Sequence, residues 1–435
     1  MHRRLLAACV CLCCAPVAGA AESSVEGMVD ARLAHITALR RDIHEHPELS
    51  NRETRTARLV AAELKKLGYE VHAGIAHTGV IGVLKGGKPG PKLAIRADID
   101  ALPVTEEVDL PFASKARGEY LGKEVGVMHA CGHDVHTATT LGVASALAAV
   151  RKDLPGEVMM IFQPAEEGAP PGEEGGAELM VKQGVFKDFQ PDAVFGMHVT
   201  SSYHVGTVAL RAGGIMASSD TFRMTVHGLQ THGATPWRGI DPIVAGADIV
   251  MAAQSIVSRR MDINKDPVVL TFGIFDGGQR FNIVPDSASL QGTIRAFDTG
   301  MRDQALAELR QVAEHVAKAH GASIDMQVPT ASGSNPVNFN DPALTERVRS
   351  SLQNVLGKDS VLEAARWTAS EDFPLLGLAA KAPSVYFFVG GTPKDQDTDK
   401  VAFNHSPRFF VDEGALKTAT AAMLQASLDY LGYAP

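Results

Sequence analysis

One recurring pattern constrains this chain more than any other feature: a short apolar run of strand length that stops at residues able to hold a cation. Lys92 to Ala97 runs into Asp98-Ile99-Asp100, Glu157 to Gln163 into Pro164-Ala165-Glu166-Glu167-Gly168, and Ala193 to Met197 into His198. Apolar runs of this length, bounded by turn residues, read as buried strands. Gly79 to Leu84 is another. Helical spacing marks Ala31 to His46, Asn51 to Leu67, Val135 to Val150 and Ala177 to Lys182; the second of these is expected to start on an Asn51 cap, with Glu53 in its first turn, and to stop at Gly68. The alternation predicts an α/β domain whose mixed sheet is flanked by helices on both faces, with its chemistry at the strand ends.

Around Ala212-Gly213-Gly214 the rhythm changes. Strands are expected at Thr221 to His227, Val268 to Ile274, Ser289 to Ala296 and Ser323 to Val328, with helices at Pro242 to Arg260 and Met301 to His320. Two β-α-β units in this order predict an inserted ferredoxin-like α+β unit over residues 213–329, between the two pieces of the larger domain, 21–212 and 330–435. The larger domain resumes through Pro342 to Leu356, a strand at Ser384 to Val389 and a helix near Glu413 to Tyr430.

At 435 residues the chain exceeds the usual size of one domain, which agrees with this division. Residues 1–20 combine Arg3 and Arg4, an apolar run through Val17 and the small residues Ala18-Gly19-Ala20, and read as a signal peptide, so the mature protein is expected to be exported, periplasmic or secreted. A lipoprotein box ending at Cys9 is the weaker reading, because the apolar stretch before it is short. No other segment approaches the roughly 20 apolar residues that span a bilayer. Cys9, Cys11, Cys13 and Cys14 would leave with the signal, so the mature chain keeps only Cys131. A lone thiol in an oxidising compartment is protected if it is buried or bound to metal. The net charge of -9, and the lack of a Lys/Arg run, argue against nucleic acid as a partner.

Four clusters carry metal-binding side chains: Met128-His129-Ala130-Cys131-Gly132-His133-Asp134-Val135-His136, Gln163 to Gly168, Gly196-Met197-His198, and Asn404-His405-Ser406-Pro407. Singly, each has an ordinary explanation: a capping histidine, a solvated turn of glutamates, a small buried cysteine. Together a thiolate, imidazoles and carboxylates form the mixed donor set that divalent transition metals prefer. Adjacent glutamates suit a division of labour, one binding metal and the other taking a proton from water. No Gly-x-Ser-x-Gly elbow offers a serine nucleophile.

These motifs, with IHEHPELS (Ile43 to Ser50), RADIDALP (Arg96 to Pro103), FNIVPD (Phe281 to Asp286) and SEDF (Ser370 to Phe373), make the chain resemble the metallo-amidohydrolases that include hippurate hydrolase, N-acyl amino acid amidohydrolases, aminoacylases and auxin-conjugate hydrolases. The likeness covers nearly the whole mature chain, and MHACGHD with QPAEEG is its most specific pair. It implies hydrolysis of the amide bond of an N-acyl amino acid or a related small amide. The two ions, of manganese, zinc, cobalt or nickel, would be held by Cys131, His133, Glu167, His198 and His405, with Glu166 as general base. Asp100 would orient a ligand histidine, since Asp98-Ile99-Asp100 stands where related peptidases carry His-x-Asp; Asp134 and His136 are either helix-start groups or participants.

The resemblance also implies that the inserted unit is a lid that makes a homodimer or higher homo-oligomer. His232 would polarise the scissile carbonyl, while Asn282 and Arg295 would hold substrate; for Arg295 the plain alternative is a strand-end charge. Trp237 replaces a histidine of the family pattern and is expected to pack in the lid or to serve as an aromatic platform. The alternatives are a dipeptidase or carboxypeptidase, or a dimeric protein that binds metal without catalysis.

Overall fold

The computed structural model describes residues 24–330 and 334–434. The expected signal segment lies outside them. No helix is long and apolar enough to cross a membrane among the described residues.

The larger unit is built on an eight-stranded sheet. Its strands are β1 (Glu70–Ile75), β2 (Gly79–Lys85), β3 (Lys88–Asp98), β4 (Pro155–Gln163), β5 (Ala193–His204) and β6 (Val208–Leu210), completed late in the chain by two more. Its spatial order begins β1-β2-β4-β3-β5. The central pairs β4/β3 and β3/β5 are parallel, whereas β1/β2 and β2/β4 are antiparallel, so the sheet is mixed as the sequence predicted. On one face lie α1 (Val25–Glu45), α2 (Thr54–Lys66), α3 (His133–Ala149) and the C-terminal helix Gly414–Leu431, sharing a core with Leu93, Ile95, Phe195 and Val199. The opposite face is covered by the short helices Gly176–Lys182 and Pro374–Ala380, which pack on Ala94, Ile161 and Val194.

The register puts the polar ends of the parallel strands level. Asp98 pairs with Gln163 across β3 and β4, and Phe388 of the late strand Ser384–Thr392 pairs with His198 of β5. Side chains from distant parts of the sequence therefore converge at one edge of the sheet.

A second sheet has four antiparallel strands, β7 (Asp220–His227), β8 (Val268–Gly277), β9 (Ser287–Ala296) and β10 (Ser323–Gln327), in the order β8-β9-β7-β10. With α4 (Pro242–Ser255) and α5 (Thr299–Ala319) on one face, this is the ferredoxin-like arrangement. Period-two burial along β7 (Phe222, Met224, Val226) meets Ile249 and Ala253 of α4 and Leu306 and Leu309 of α5.

Three expectations are corrected. Asn51 does not cap α2: it sits at φ 61 and donates its side-chain amide to Glu173 and to the Glu174 carbonyl, while Glu53 holds the cap position and turns its carboxylate elsewhere. The first helix starts at Val25, six residues before the expected Ala31, because the Ser24 hydroxyl caps it by accepting from Gly27 N–H. The helix from Pro242 is regular only to Ser255 and finishes as a π turn, Ile256–Arg260. Leu309 is fully buried between α5 and the second sheet, so Leu309→Ala is expected to cost about 2–5 kcal/mol, read as a lower urea midpoint at unchanged slope.

Candidate active site

Cys131 stands at the start of α3, on a turn that only glycine makes easily. Gly132 has φ +90, and a Cβ there would meet Val199 Cγ1 at 2.3 Å, so the absent side chain lets this turn approach β5. That approach sets Cys131 Sγ 3.3 Å from His198 Nε2. From the far end of the chain, the Asn404-His405 turn docks on the same place: His405 N–H donates to the Ala130 carbonyl at 2.7 Å, and Asn404 Nδ2 to the Cys131 and Val199 carbonyls. His405 Nε2 then lies 3.2 Å from Cys131 Sγ and 3.3 Å from Glu167 Oε1.

Among the groups of donor atoms that lie close enough to share an ion, two meet at the thiol: Cys131 with His133 and His198, and Cys131 with Glu167 and His405. The thiol belongs to both. His133 and His198, the two buried histidines of these groups, each have Nδ1 engaged. His133 Nδ1 lies 2.8 Å from the Asp100 carbonyl and 3.2 Å from Asp100 Oδ1, and His198 Nδ1 lies 2.7 Å from the Val199 carbonyl. Acceptors at Nδ1 fix the proton there and leave Nε2 with a free lone pair, the form that ligates metal. His133 Nε2 and Glu167 Oε1 are buried without hydrogen-bond partners, as ligand atoms awaiting a cation would be. The residues fit a pair of divalent ions.

Electrostatics agree. Burial, then the charges of Glu167, Glu166 and Asp98, push the Cys131 thiol well above its usual range. Burial would lower His133, but Asp98 and the bonds to Asp100 carry it up to about 10, so a proton there answers part of the surrounding negative charge. Divalent cations would answer it more fully, with the thiol ionised against them.

Glu166 follows Ala165, whose backbone is held at φ 52. Ala165 N–H donates to Glu53 Oε1 at 2.9 Å, and Thr78 donates to the other Glu53 oxygen, so the carboxylate that left the α2 cap shapes this turn. Glu166 Oε2 lies 4.0 Å from His133 Nε2. Burial, and then Glu371, Glu167 and Asp372, push its carboxyl well above the ordinary range. Beneath it, buried Arg96 donates to Asp98, Gln163, Glu371 and Asp372, and Tyr386 donates to Glu371.

His136 is resolved as a support. Its Nδ1 is 2.6 Å from Asp98 Oδ1 and its Nε2 accepts from Val199 N–H at 2.8 Å, which leaves no lone pair for a metal. Asp134 faces away from the donor cluster, onto Arg40 and His44 of α1.

The site opens into a cavity of about 900 Å³ lined by Cys131, Glu166, Glu167, His198, His405 and, from the second sheet, Arg295. Arg295 is half-buried and, among the described residues, its guanidinium donates to the Ser218 carbonyl at 3.5 Å and is otherwise largely free. His232 and Asn282 are not brought to this cavity; they lie together on the short ladder Thr231–His232 with Ile283–Val284, His232 exposed. Trp237 is 76% exposed and neither packs in the lid nor lines the cavity. Sequence reasoning missed Glu53, Glu371, Asp372 and Trp367. The buried acidic pair was readable as the SEDF motif, but no local signal marks Glu53 or Trp367.

Asp100 ties the cluster together, bonding His133, the Ser50 hydroxyl and the Glu167 N–H. Asp100→Ala is expected to weaken metal affinity by about 10–100-fold, measured by competition with a chelator. Arg96→Met, which strands three buried carboxylates, is expected to lower stability by about 3–5 kcal/mol in chemical denaturation.

The family model of peptidase family M20/M25/M40 matches residues 94–429. Thermostable carboxypeptidase 1 of Saccharolobus solfataricus is 39% identical over 388 residues, 89% of this chain and 93% of that protein. N-acetyl-L-cysteine deacetylase of Bacillus subtilis is 36% identical, over 90% of this chain and 87% of its own length. The crystal structure of the Bacillus subtilis YXEP protein, described as a dinuclear metal-binding peptidase of the M20 family, superposes with a TM-score of 0.75 at 32% identity, covering 93% of this chain and 100% of that one. With a donor set for two ions converging at its strand ends, the chain belongs to peptidase family M20/M25/M40 and is a metal-dependent amidohydrolase.

Proposed function

We propose that the protein hydrolyses the amide bond of N-acyl amino acids, using Glu166 as the proton carrier. The observation that carries this reading is Glu166 itself: an acid beside five donor side chains, in a cavity that the cation Arg295 also lines. Cys131, His133, Glu167, His198 and His405 are the proposed ligands. Two bound ions would lower the pKa of a water and polarise the substrate carbonyl, and the sulfur, nitrogen and oxygen donors suit manganese, zinc, cobalt or nickel.

Glu166 lies close enough to His133 Nε2 to reach a water held at the cluster. Its raised basicity suits it to take that water's proton and return it to the departing amine. Arg295 would hold the carboxylate of the amino acid, since little in the protein satisfies its guanidinium.

His232 and Asn282 fit the reaction through a second copy of the chain. Ala234 N–H donates to His232 Nδ1, which leaves Nε2 to carry the proton, the tautomer that donates to a carbonyl oxygen. Asn282 Oδ1 is buried without a partner. The edge strand β8 exposes Val269, Ile274 and Phe275, and the neighbouring α4 exposes Val244 and Met251. An unpaired edge beside an apolar helix face is the surface a homodimer would cover, and pairing there would carry His232 toward a partner's cavity. The N-terminal pattern of residues 1–20 supports export of the protein.

The carboxypeptidase relative favours a second reading, cleavage of peptides. Both substrate types offer a carboxylate to Arg295, but a dipeptide also brings a free amine, and the rim acids Glu173 and Glu178 are already paired with Arg52 and Lys182. Hydrolysis of blocked amino acids should therefore exceed that of unblocked dipeptides when manganese-, zinc- and cobalt-loaded protein is profiled on both; the reverse preference would establish the peptidase reading. Glu166→Gln is expected to retain both ions by elemental analysis while kcat falls by about 10²–10⁴.

A further inference from the structure

We propose that Glu53 is a positioning residue for the general base: its buried carboxylate holds Ala165 in the left-handed backbone conformation that sets Glu166 against the donor cluster. The proposal rests on the reading of Glu166 as the proton carrier and assigns its placement to a side chain that does not line the cavity.

Ala165 has φ 52. For a residue with a Cβ this conformation costs about 1–2 kcal/mol relative to the right-handed one, so it persists only where the surroundings hold it. Glu53 supplies the hold. Its Oε1 accepts from Ala165 N–H at 2.9 Å and from Asn51 N–H at 3.0 Å, while Oε2 accepts from the Thr78 hydroxyl at 2.5 Å. Glu53 is fully buried, and Asn51 and Thr78 are buried beside it. One carboxylate thus ties together the approach to α2, the residue before β2 and the turn after β4, and a buried acceptor of this kind is hard to replace with water.

Packing closes the same turn from two sides. A Cβ added at Gly79 would meet Pro164 Cδ at 3.0 Å, and one added at Gly175 would meet Ala165 Cβ at 3.0 Å. On the other side of Glu166, Glu167 N–H donates to Asp100 Oδ2 at 3.0 Å. The general base therefore stands between two backbone N–H groups, each gripped by a buried carboxylate. The two grips differ in what else they hold. Asp100 also bonds the proposed ligand His133, whereas the bonds of Glu53 reach none of the five proposed ligands. Loss of Glu53 should then act on proton transfer and leave the ions in place.

The test is a double-mutant cycle in the full-length protein, with Glu53→Ala made alone and together with Ala165→Gly. Glycine takes the left-handed region without strain, so the turn then depends less on being held. Glu53→Ala by itself is expected to lower kcat by about 10–100-fold, with both ions retained by elemental analysis, because small displacements of a reacting group cost rate steeply. In the Ala165→Gly background the same substitution is expected to lower kcat by at least about fivefold less, the mark of two coupled sites. Glu53→Gln keeps a carbonyl acceptor for Ala165 N–H and should lie between the parent and Glu53→Ala; it carries the same comparison if Glu53→Ala does not fold. Amide exchange in the peptide covering Ala165 gives a readout free of activity and is expected to be faster in Glu53→Gln than in the parent. Equal losses of kcat in both backgrounds, parent-like kcat in Glu53→Ala, loss of bound metal in step with kcat, or unchanged exchange at Ala165 would overturn the proposal. If Glu166→Gln keeps full turnover, the general-base reading itself fails, and amide exchange alone decides whether Glu53 holds the turn.

Discussion

The site is organised by negative charge that the protein does not balance with its own fixed cations. Asp98, Asp100, Glu166, Glu167, Glu371 and Asp372 gather around it, and Arg96 is the cation buried among them, bonded to Asp98, Glu371 and Asp372. Like charges at these separations in a poorly solvated interior repel by several kcal/mol unless protons or cations answer them. His133 answers in part by keeping a proton up to about 10, and Asp372 by titrating near 7 instead of as an ordinary acid. Each is a substitute for positive charge that two divalent ions would supply directly. Metal affinity and the packing of the sheet edge are therefore one problem, and the fold solves it with strand ends that place acids on both sides of a thiol.

Support for that edge comes from outside the donor set. Glu53 sits at the α2 cap but turns its carboxylate to the Glu166 turn, Asn51 holds the Glu173 loop, and Asp100 spans Ser50, His133 and Glu167. The segment from Ser50 to Glu53 thus gives up local helix capping for long-range bonds to the active-site loops. That exchange explains why cap chemistry misplaced the start of α2. A side chain that satisfies a local rule and a distant one obeys whichever leaves fewer buried groups unpaired.

Much of the rest was legible because it depends on short-range pattern. Strand runs, the β-α-β order of the inserted unit and the donor residues at strand ends all follow from periodicity and spacing, and the motif resemblance supplied the grouping of donors. The partners of Arg96 were not legible, since Glu371 and Asp372 lie 275 and 276 residues away and no periodicity joins them. The distinction between His133 and His136 was equally hidden. Both occupy the first turn of α3 and both are buried; they differ because Val199 N–H occupies one Nε2 and nothing occupies the other. Of two tryptophans, the one beside the family pattern, Trp237, proved to be on the surface, while Trp367 reached the cavity through a backbone bridge to Met216.

That bridge gives the two units a shared element. Residues 213–216 pair with Asn338–Asn340 as the chain leaves the large unit, Trp367 is bonded to Ile215 and Ala217, and Ser218 accepts from Arg295 at its carbonyl and from Ala296 N–H at its hydroxyl. Gly214 lies so close to Phe297 that a Cβ would fall 2.1 Å from its carbonyl oxygen, which locks this crossing tightly. Trp367 packs on His198 and Phe388 and so stands with the donor cluster on the large sheet, whereas Arg295 comes from the second sheet, so this crossing sets the position of one against the other. The two units thus contribute to one cavity, the large sheet the donor cluster and the second sheet Arg295.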